Sequence, residues 1–209
     1  MTKIYLIRSA QSEGNLYRIA QGHSDGNLTD LGRRQAEALG ERFEGIPVDA
    51  VYTSDLYRAR ATACAIYKPK GVPVYHRSDL REVFLGSWEA VAWGNIAYRE
   101  SEMVECFHTA PGKWKVDGAE TAEQVYVRMV DSVRQIADEN DGKSIAVVSH
   151  GFAIRLLLAY LLGIPLENAH DVPAMSNTAI AVIEADDGSL RLSEQDDPGC
   201  FEDERRRLR

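Results

Sequence analysis

The chain has 209 residues, 44% hydrophobic and 27% charged, a mixture suited to one compact domain with a sizeable core. Its formal charge of −8 argues against nucleic acid and anionic membrane surfaces as partners, because both demand a basic face. Any anion site in such a chain has to be built locally, from a few basic groups brought together by the fold.

The sequence passes from Met1 straight into a strand-like run at residues 4–7, with no basic leader and no cleavage site, so no export signal is expected. Further buried strands are predicted at residues 50–52, 72–75, 145–148 and 179–183, with stretches of helical period between them. That alternation predicts an α/β fold of three layers, α/β/α, around a mostly parallel central sheet. Between the first two strands, Thr29, Asp30 and Leu31 open a helix with Leu31, Ala38, Leu39 and Phe43 on one face, closed by Gly45 and Pro47. A second helix is predicted over 121–137, where Thr121 and Gln124 form a capping box and Val125, Met129, Val133 and Ile136 recur at helical spacing. The apolar helix around 156–162 starts with Arg155 and falls far short of the roughly 20 residues that span a bilayer, so it reads as a core helix.

Residues 84–118 hold all three tryptophans, Trp88, Trp93 and Trp114, yet lack a clean period and are broken by Pro111 and Gly112. They read as a partly helical insertion, or lid, over one end of the sheet. Residues 1–195 are expected to form a single domain that includes this lid, and 196–209, with Pro198, Gly199 and a charged block from 202, a flexible tail. Cys64, Cys106 and Cys200 are odd in number and show no C-x-x-C spacing, so neither a disulfide framework nor a zinc site is implied and a reducing cytoplasm fits.

Ligands of open α/β sheets bind outside the carboxyl ends of the strands, so the residues just after each strand are the candidates for chemistry. Arg8 and Ser9 follow the first, Arg58 lies shortly after the second, Arg81 and Glu82 after the third, and Ser149, His150 and Gly151 after the run at 145–148. Two arginines, a carboxylate and a histidine are thereby expected at one end of the sheet. Each has a plainer reading: the arginines as solvated charges, His150 as a structural histidine, Glu82 as an ion-pair partner of Arg58 or Arg81.

The stretches I-R-S-A-Q-S-E-G-N, Q-G-H-S-D-G-N-L-T-D-L-G, S-D-L-Y-R-A-R-A-T-A, L-R-E-V-F-L-G-S-W-E and V-V-S-H-G, with a weaker echo at residues 176–180, resemble the histidine phosphatase superfamily, also called phosphoglycerate mutase-like. The resemblance implies the phosphoglycerate mutase-like fold, and it implies that Arg8 and Arg58 clamp phosphoryl oxygens through bidentate guanidinium geometry. It also implies that Asn15 adds a neutral donor and that His150, in its charged form, stabilises the transferring group. Glu82 falls where the family's phosphatases keep the acid that protonates the leaving oxygen. Gln21 and Gly22 match a loop lining the substrate entrance, Gly151 adjoins the anion, and Trp88 stands where it could touch an organic leaving group. Trp88, Trp93, Tyr98 and Trp114 could equally form the lid's own small core.

One position departs from the family pattern. Members carry histidine directly after the first arginine, and that imidazole becomes phosphohistidine; here Ser9 occupies the place, followed by Ala10 in place of a common glycine. A serine hydroxyl is a weak nucleophile without a base and stops short of where an imidazole nitrogen would reach. The expectation is a chain that holds phosphate but turns it over very slowly. Two origins of Ser9 stand open at this point, a deliberate exchange that traps substrate and a natural non-catalytic phosphate binder; the retention of every other site residue favours the first.

The leading function is therefore a phosphomonoester hydrolase scaffold for a small phosphorylated metabolite, with inorganic phosphate as a further ligand and a homodimer as a possible assembly. A phosphoglycerate mutase is the rival, and residues 85–89 resemble the phosphatase version of their motif. A binding module without catalysis is supported by Ser9 alone. His23 and Asp25 read as loop residues rather than metal ligands, and His76, His108 and His170 show no metal-binding spacing, so no metal and no cofactor is expected. Ser149 as a hydrolase nucleophile is set aside, because the glycine required two residues before it is Val147.

Overall fold

Apolar residues fill both faces of the first strand, which is the signature of a strand buried between two layers. A computed structural model describes residues 1–196; nearly all of the charged segment 196–209, Cys200 included, lies outside the described residues. The elements in chain order are β1 (Thr2–Arg8), α1 (Glu13–Tyr17), α2 (Asp30–Phe43), β2 (Ala50–Ser54), α3 (Tyr57–Lys70) and β3 (Val74–Arg77). They continue with α4 (Trp93–Arg99), α5 (Ser101–Thr109), α6 (Ala122–Asp138), β4 (Ser144–Ser149), α7 (Gly151–Leu161), β5 (Ile180–Asp186) and β6 (Ser189–Asp196). No helix among the described residues is long and apolar enough to cross a membrane.

The six strands form one sheet in the order β3-β2-β4-β1-β5-β6. Ile4 and Leu6 of β1, with Ile145 and Val147 of β4, join the core cluster of α6 and α7. Tyr5, Ile7, Ala146 and Val148 join the cluster of α2 and α3 on the other face. Two helical layers thus sandwich the sheet, and each fully buried aliphatic side chain contributes about 1.5–3 kcal/mol relative to exposure. The helix ends follow their capping chemistry. Gly32 N donates to Thr29 Oγ1 at 2.9 Å, while Thr121 and Gln124 exchange bonds of 2.8 and 3.2 Å, each cap contributing about 1 kcal/mol.

β1, β2, β3 and β4 are parallel, but β5 runs antiparallel to β1 and β6 antiparallel to β5. The reason lies in the return path. Residues 162–179 carry the chain back to the carboxyl end of β1, where Thr178 N donates to the Arg8 carbonyl at 3.0 Å, so β5 starts beside Arg8 and runs the opposite way.

Within 84–118, two short helices, α4 and α5, are framed by 3-10 turns at Gly86–Trp88 and Pro111–Lys113. Trp88, Phe107 and Trp114 pack with ring centroids 5.1–6.3 Å apart, and Phe107 stacks on Phe152 of α7 at 4.7 Å. These rings are continuous with the core on the α6 and α7 side rather than a separate lid core.

Candidate active site

Four segments reach one cleft at the carboxyl ends of the parallel strands. β1 delivers Arg8 and then Ser9, the first turn of α3 delivers Arg58, the turn after β3 delivers Glu82, and β4 ends before His150, the N-cap of α7. The cleft holds about 230 Å3, and Asn15, Gln21 and Gly151 line it together with Arg8, Ser9, Arg58, Glu82 and His150.

Arg8 lies against the start of α7. A Cβ at Gly151 would sit 3.3 Å from both Arg8 Cζ and Arg8 Nε, so the absence of a side chain there is what gives the guanidinium room. Arg8 Nη1 donates to the Met175 carbonyl, and Asn177 Nδ2 donates to the Ser9 carbonyl at 2.7 Å, so the loop before β5 braces this end of β1. Behind Ser9, Ala10 N donates to Thr62 Oγ1 at 2.9 Å and Thr62 donates to the Arg58 carbonyl at 2.7 Å, tying the β1 loop to α3.

Arg58 does more than face an anion. It is 4% exposed, and burial at that level requires each N–H to find an acceptor. Nη1 donates to Ser24 O at 3.0 Å and Asp25 Oδ1 at 3.2 Å, Nη2 to Gly22 O at 2.7 Å and Gln21 O at 3.3 Å, and Nε to His150 Nδ1 at 3.2 Å. Burial pulls its pKa down while Glu82 and Asp25 raise it, and a guanidinium stays charged throughout. The expected two-arginine clamp is thereby modified: Arg58 is first of all the post that holds the 21–25 loop and His150.

His150 is held by Arg58. Its Nδ1 accepts from Arg58 and must be bare, and burial, reinforced by Arg58, Arg128 and Arg8, holds its pKa well below the ordinary value. The ring is 2% exposed, and its Nε2 has no partner among the described residues. Nε2–H is therefore the donor His150 offers to the cleft.

Glu82 pairs with neither Arg58 nor Arg81. Arg81 is bound to Asp55 at 2.5 and 2.6 Å. The Glu82 carboxylate instead accepts from Phe152 N at 3.0 Å and Ala153 N at 2.9 Å, and from Val83 N at 2.9 Å, so it caps the first turn of α7, where the helix dipole favours negative charge. Arg128 of α6 fixes this turn from behind: it donates to the carbonyls of Asp79, Arg81 and Glu82 at 2.7–3.0 Å and pairs with Glu120 at 2.8 Å.

Among the secondary candidates, Asn15 Oδ1 accepts from Ser12 N and Oγ at 3.0 and 3.1 Å, which leaves its amide NH2 for the cleft. Gln21 Oε1 accepts from Ser12 Oγ at 2.6 Å. Gly22 is buried and reaches the site only through its carbonyl on Arg58. Trp88 is a correction: at 1% exposure it is packed among Trp93, Phe107 and Trp114 and does not line the cleft. An indole of that size in an irregular segment satisfies the core first. Arg128, Thr62 and Arg155 carry no signal in the sequence, since a charged or small polar residue within an amphipathic helix reads as part of a solvated face or a packing position.

The cleft is electropositive in an acidic chain. Arg8, Arg58 and Arg155 face it against one carboxylate, Glu82, so an anion entering it finds the positive charge that the whole molecule lacks. Among the described residues no hydrogen-bond partner accepts the Ser9 hydroxyl proton.

The model of the histidine phosphatase superfamily (branch 1) matches residues 4–198. The chain is 34% identical over 161 residues to the metal-independent phosphoserine phosphatase of Arabidopsis thaliana, covering 75% of this chain and 67% of that protein. It is 30% identical to the glucosyl-3-phosphoglycerate phosphatase of Mycolicibacterium vanbaalenii, across 99% of this chain and 92% of the relative. Among solved structures, Bacillus stearothermophilus YhfR superposes with a TM-score of 0.89 at 31% identity, over 92% of this chain and 96% of that one.

Proposed function

The chain belongs to the histidine phosphatase superfamily, and from that premise we propose that it is a phosphomonoesterase scaffold for small phosphorylated metabolites in which Ser9 suppresses turnover. The observation that carries the reading is the convergence of Arg8, Arg58, Glu82 and His150 on one electropositive cleft although the chain separates them widely. Relatives named for phosphoserine and for glucosyl-3-phosphoglycerate support hydrolysis of a phosphate ester.

With histidine at position 9, the reaction has two steps. The imidazole nitrogen attacks phosphorus in line, the P–O bond to the leaving group breaks, and Glu82, which has to enter this step as the carboxylic acid, gives its proton to the departing oxygen and is left as the carboxylate. Water then attacks the phosphohistidine, Glu82 takes a proton from it, and the P–N bond breaks to release phosphate. Arg8, the amide of Asn15 and the Nε2–H of His150 hold the equatorial oxygens in both steps, where preorganised donors stabilise developing charge. Serine at position 9 removes the attacking atom and leaves the rest of the site poised. A non-catalytic phosphate sensor is the second reading, favoured by Ser9 itself.

Ser9→His separates the two. Turnover of p-nitrophenyl phosphate, with an acid-labile phosphoenzyme, is expected in the variant and not in the chain as it stands, while inorganic phosphate raises the Tm of both. Ordinary turnover by the unaltered chain would sink the role given to Ser9; a Tm indifferent to phosphate in both forms would sink the scaffold itself.

A further inference from the structure

Residues 18–24 and residues 85–93 meet along a short seam of main-chain bonds. Ala20 N donates to Val91 O at 2.8 Å, Ala90 N to Ala20 O at 2.9 Å and Trp93 N to Arg18 O at 2.9 Å. Next to this seam a carboxylate takes over from the main chain. Glu89 Oε1 accepts from His23 N and from Leu85 N, both at 2.9 Å, and Oε2 accepts from Ser24 N at 2.7 Å. One side chain thereby ties backbone amides of both segments, through charge-assisted bonds roughly twice as strong as neutral ones.

The fit around Glu89 is close. A Cβ at Gly22 would stand 2.1 Å from Glu89 Oε1 and 2.4 Å from Val83 O, so the loop reaches the carboxylate because residue 22 has no side chain. Ala90, which follows Glu89, holds φ at +61°, a left-handed conformation that a non-glycine residue keeps where its surroundings impose it. Glu89 is not among the residues that line the cleft.

The carbonyls of the same loop serve Arg58. Gln21 O, Gly22 O and Ser24 O accept from its Nη atoms at 3.3, 2.7 and 3.0 Å. The peptide group between Gly22 and His23 is therefore held at both ends, its C=O on the guanidinium and its N–H on the Glu89 carboxylate. Opposite charges at the two ends polarise that group and strengthen both bonds. Burial lowers the pKa of Arg58, and Glu89 is one of the carboxylates that oppose the shift.

We propose that Glu89 is a positioning residue of the anion site: it fixes residues 22–24, and through their carbonyls it fixes Arg58 and the bond from Arg58 to His150. The inference rests on the phosphomonoesterase reading of the cleft and deepens it.

The test is a mutant cycle, read by titration calorimetry with inorganic phosphate, on the unaltered chain, Glu89→Gln, Arg58→Lys and the double variant. Glutamine keeps the shape of Glu89 but turns an NH2 toward a backbone amide, so phosphate binding should weaken about five- to tenfold. In the double variant it should add less than about a further twofold to the loss from Arg58→Lys, because a residue that acts through Arg58 has nothing left to position. Nitrogen NMR without phosphate supplies a second readout: the His150 resonances of Glu89→Gln should move toward those of Arg58→Lys. Glu89→Asp, which keeps the charge and draws it back by one methylene, should follow the same pattern with a smaller loss, and it carries the comparison if the amide variant does not fold. Phosphate affinity that Glu89→Gln leaves intact overturns the inference, as do losses that multiply in the double variant or His150 resonances that do not move. No binding of inorganic phosphate to the unaltered chain overturns the phosphomonoesterase reading instead, and the His150 resonances then decide whether Glu89 governs Arg58.

Discussion

Arg58 donates from Nε to Nδ1 of His150 across 3.2 Å, and this bond decides which imidazole nitrogen carries the proton. Nitrogen NMR of the unaltered chain should show His150 with a bare Nδ1 and a protonated Nε2 throughout the neutral range. Arg58→Lys lacks the fork that reaches the imidazole and the 21–25 loop at once, so phosphate affinity should fall about tenfold or more and His150 should titrate closer to an ordinary histidine. A proton found on Nδ1 in the unaltered chain would rule this relationship out.

Gly151→Ala sets binding against stability. The new Cβ would stand 3.3 Å from Arg8 Cζ and Nε, so the guanidinium has to give way, and phosphate affinity should weaken several-fold. Alanine at the start of a helix is at least as favourable as glycine, by up to about 1 kcal/mol, so the Tm should hold or rise. Calorimetry and a melting curve on the same sample check both signs; a drop in Tm with phosphate affinity intact would contradict the account of Arg8.

Glu82→Gln is most informative in the Ser9→His background. The amide keeps one acceptor oxygen but turns its NH2 toward a backbone N–H of α7, at a cost of about 1–2 kcal/mol in stability by urea unfolding. Catalytically, alkyl phosphates need a proton on the departing oxygen and nitrophenolate does not. The kcat for an alkyl phosphate should fall by about 100-fold, and that for p-nitrophenyl phosphate by far less. Equal losses on both substrates would deny Glu82 the role of acid.

Acid should destabilise the fold before the carboxylates titrate. Burial is the main cause that lowers His150, His23 and His108, so each binds fewer protons folded than unfolded. The stability contributed by their neutral forms is complete above the unfolded value of about 6.5 and is lost as pH falls from there through each folded value. The Tm in phosphate-free buffer should drop between about pH 7 and about pH 5, with a shallower slope in His150→Asn. A flat or rising Tm over that interval would show that the imidazoles are not held neutral.

Much of this was legible in the sequence, for reasons that differ by element. α2 and α6 declare themselves through large apolar residues at helical spacing and side-chain caps at Thr29 and Thr121. α3 does not, because Ile66 is the one large apolar residue on a buried face otherwise made of Ala59, Thr62, Ala63 and the polar Arg58, and Leu56 gives it no side-chain cap. β5 reads as a strand, but its direction depends on where residues 162–179 return, which no local pattern records. β6 escaped because only Leu190 and Leu192 pack inward from an otherwise polar edge strand.

At the site, Arg8, Glu82 and His150 were visible because each stands just beyond a strand or its following turn. What stayed hidden was who holds whom. A guanidinium shared among three carbonyls, a carboxylate and an imidazole, a carboxylate capping α7 and a mid-helix Arg128 clipping three carbonyls are contacts between segments far apart in sequence. The burial of Trp88 is hidden for the same reason, since only the assembled core shows which indoles it absorbs.

The bracing of β1 by residues 175–178 has a consequence for biosynthesis. Arg8 leaves the ribosome well before the carbonyl of Met175 and the amide of Thr178 that steady it. A growing amino-terminal fragment therefore lacks the finished anion cradle at every length short of that point. Ligand recognition by this cleft waits until translation has passed Thr178.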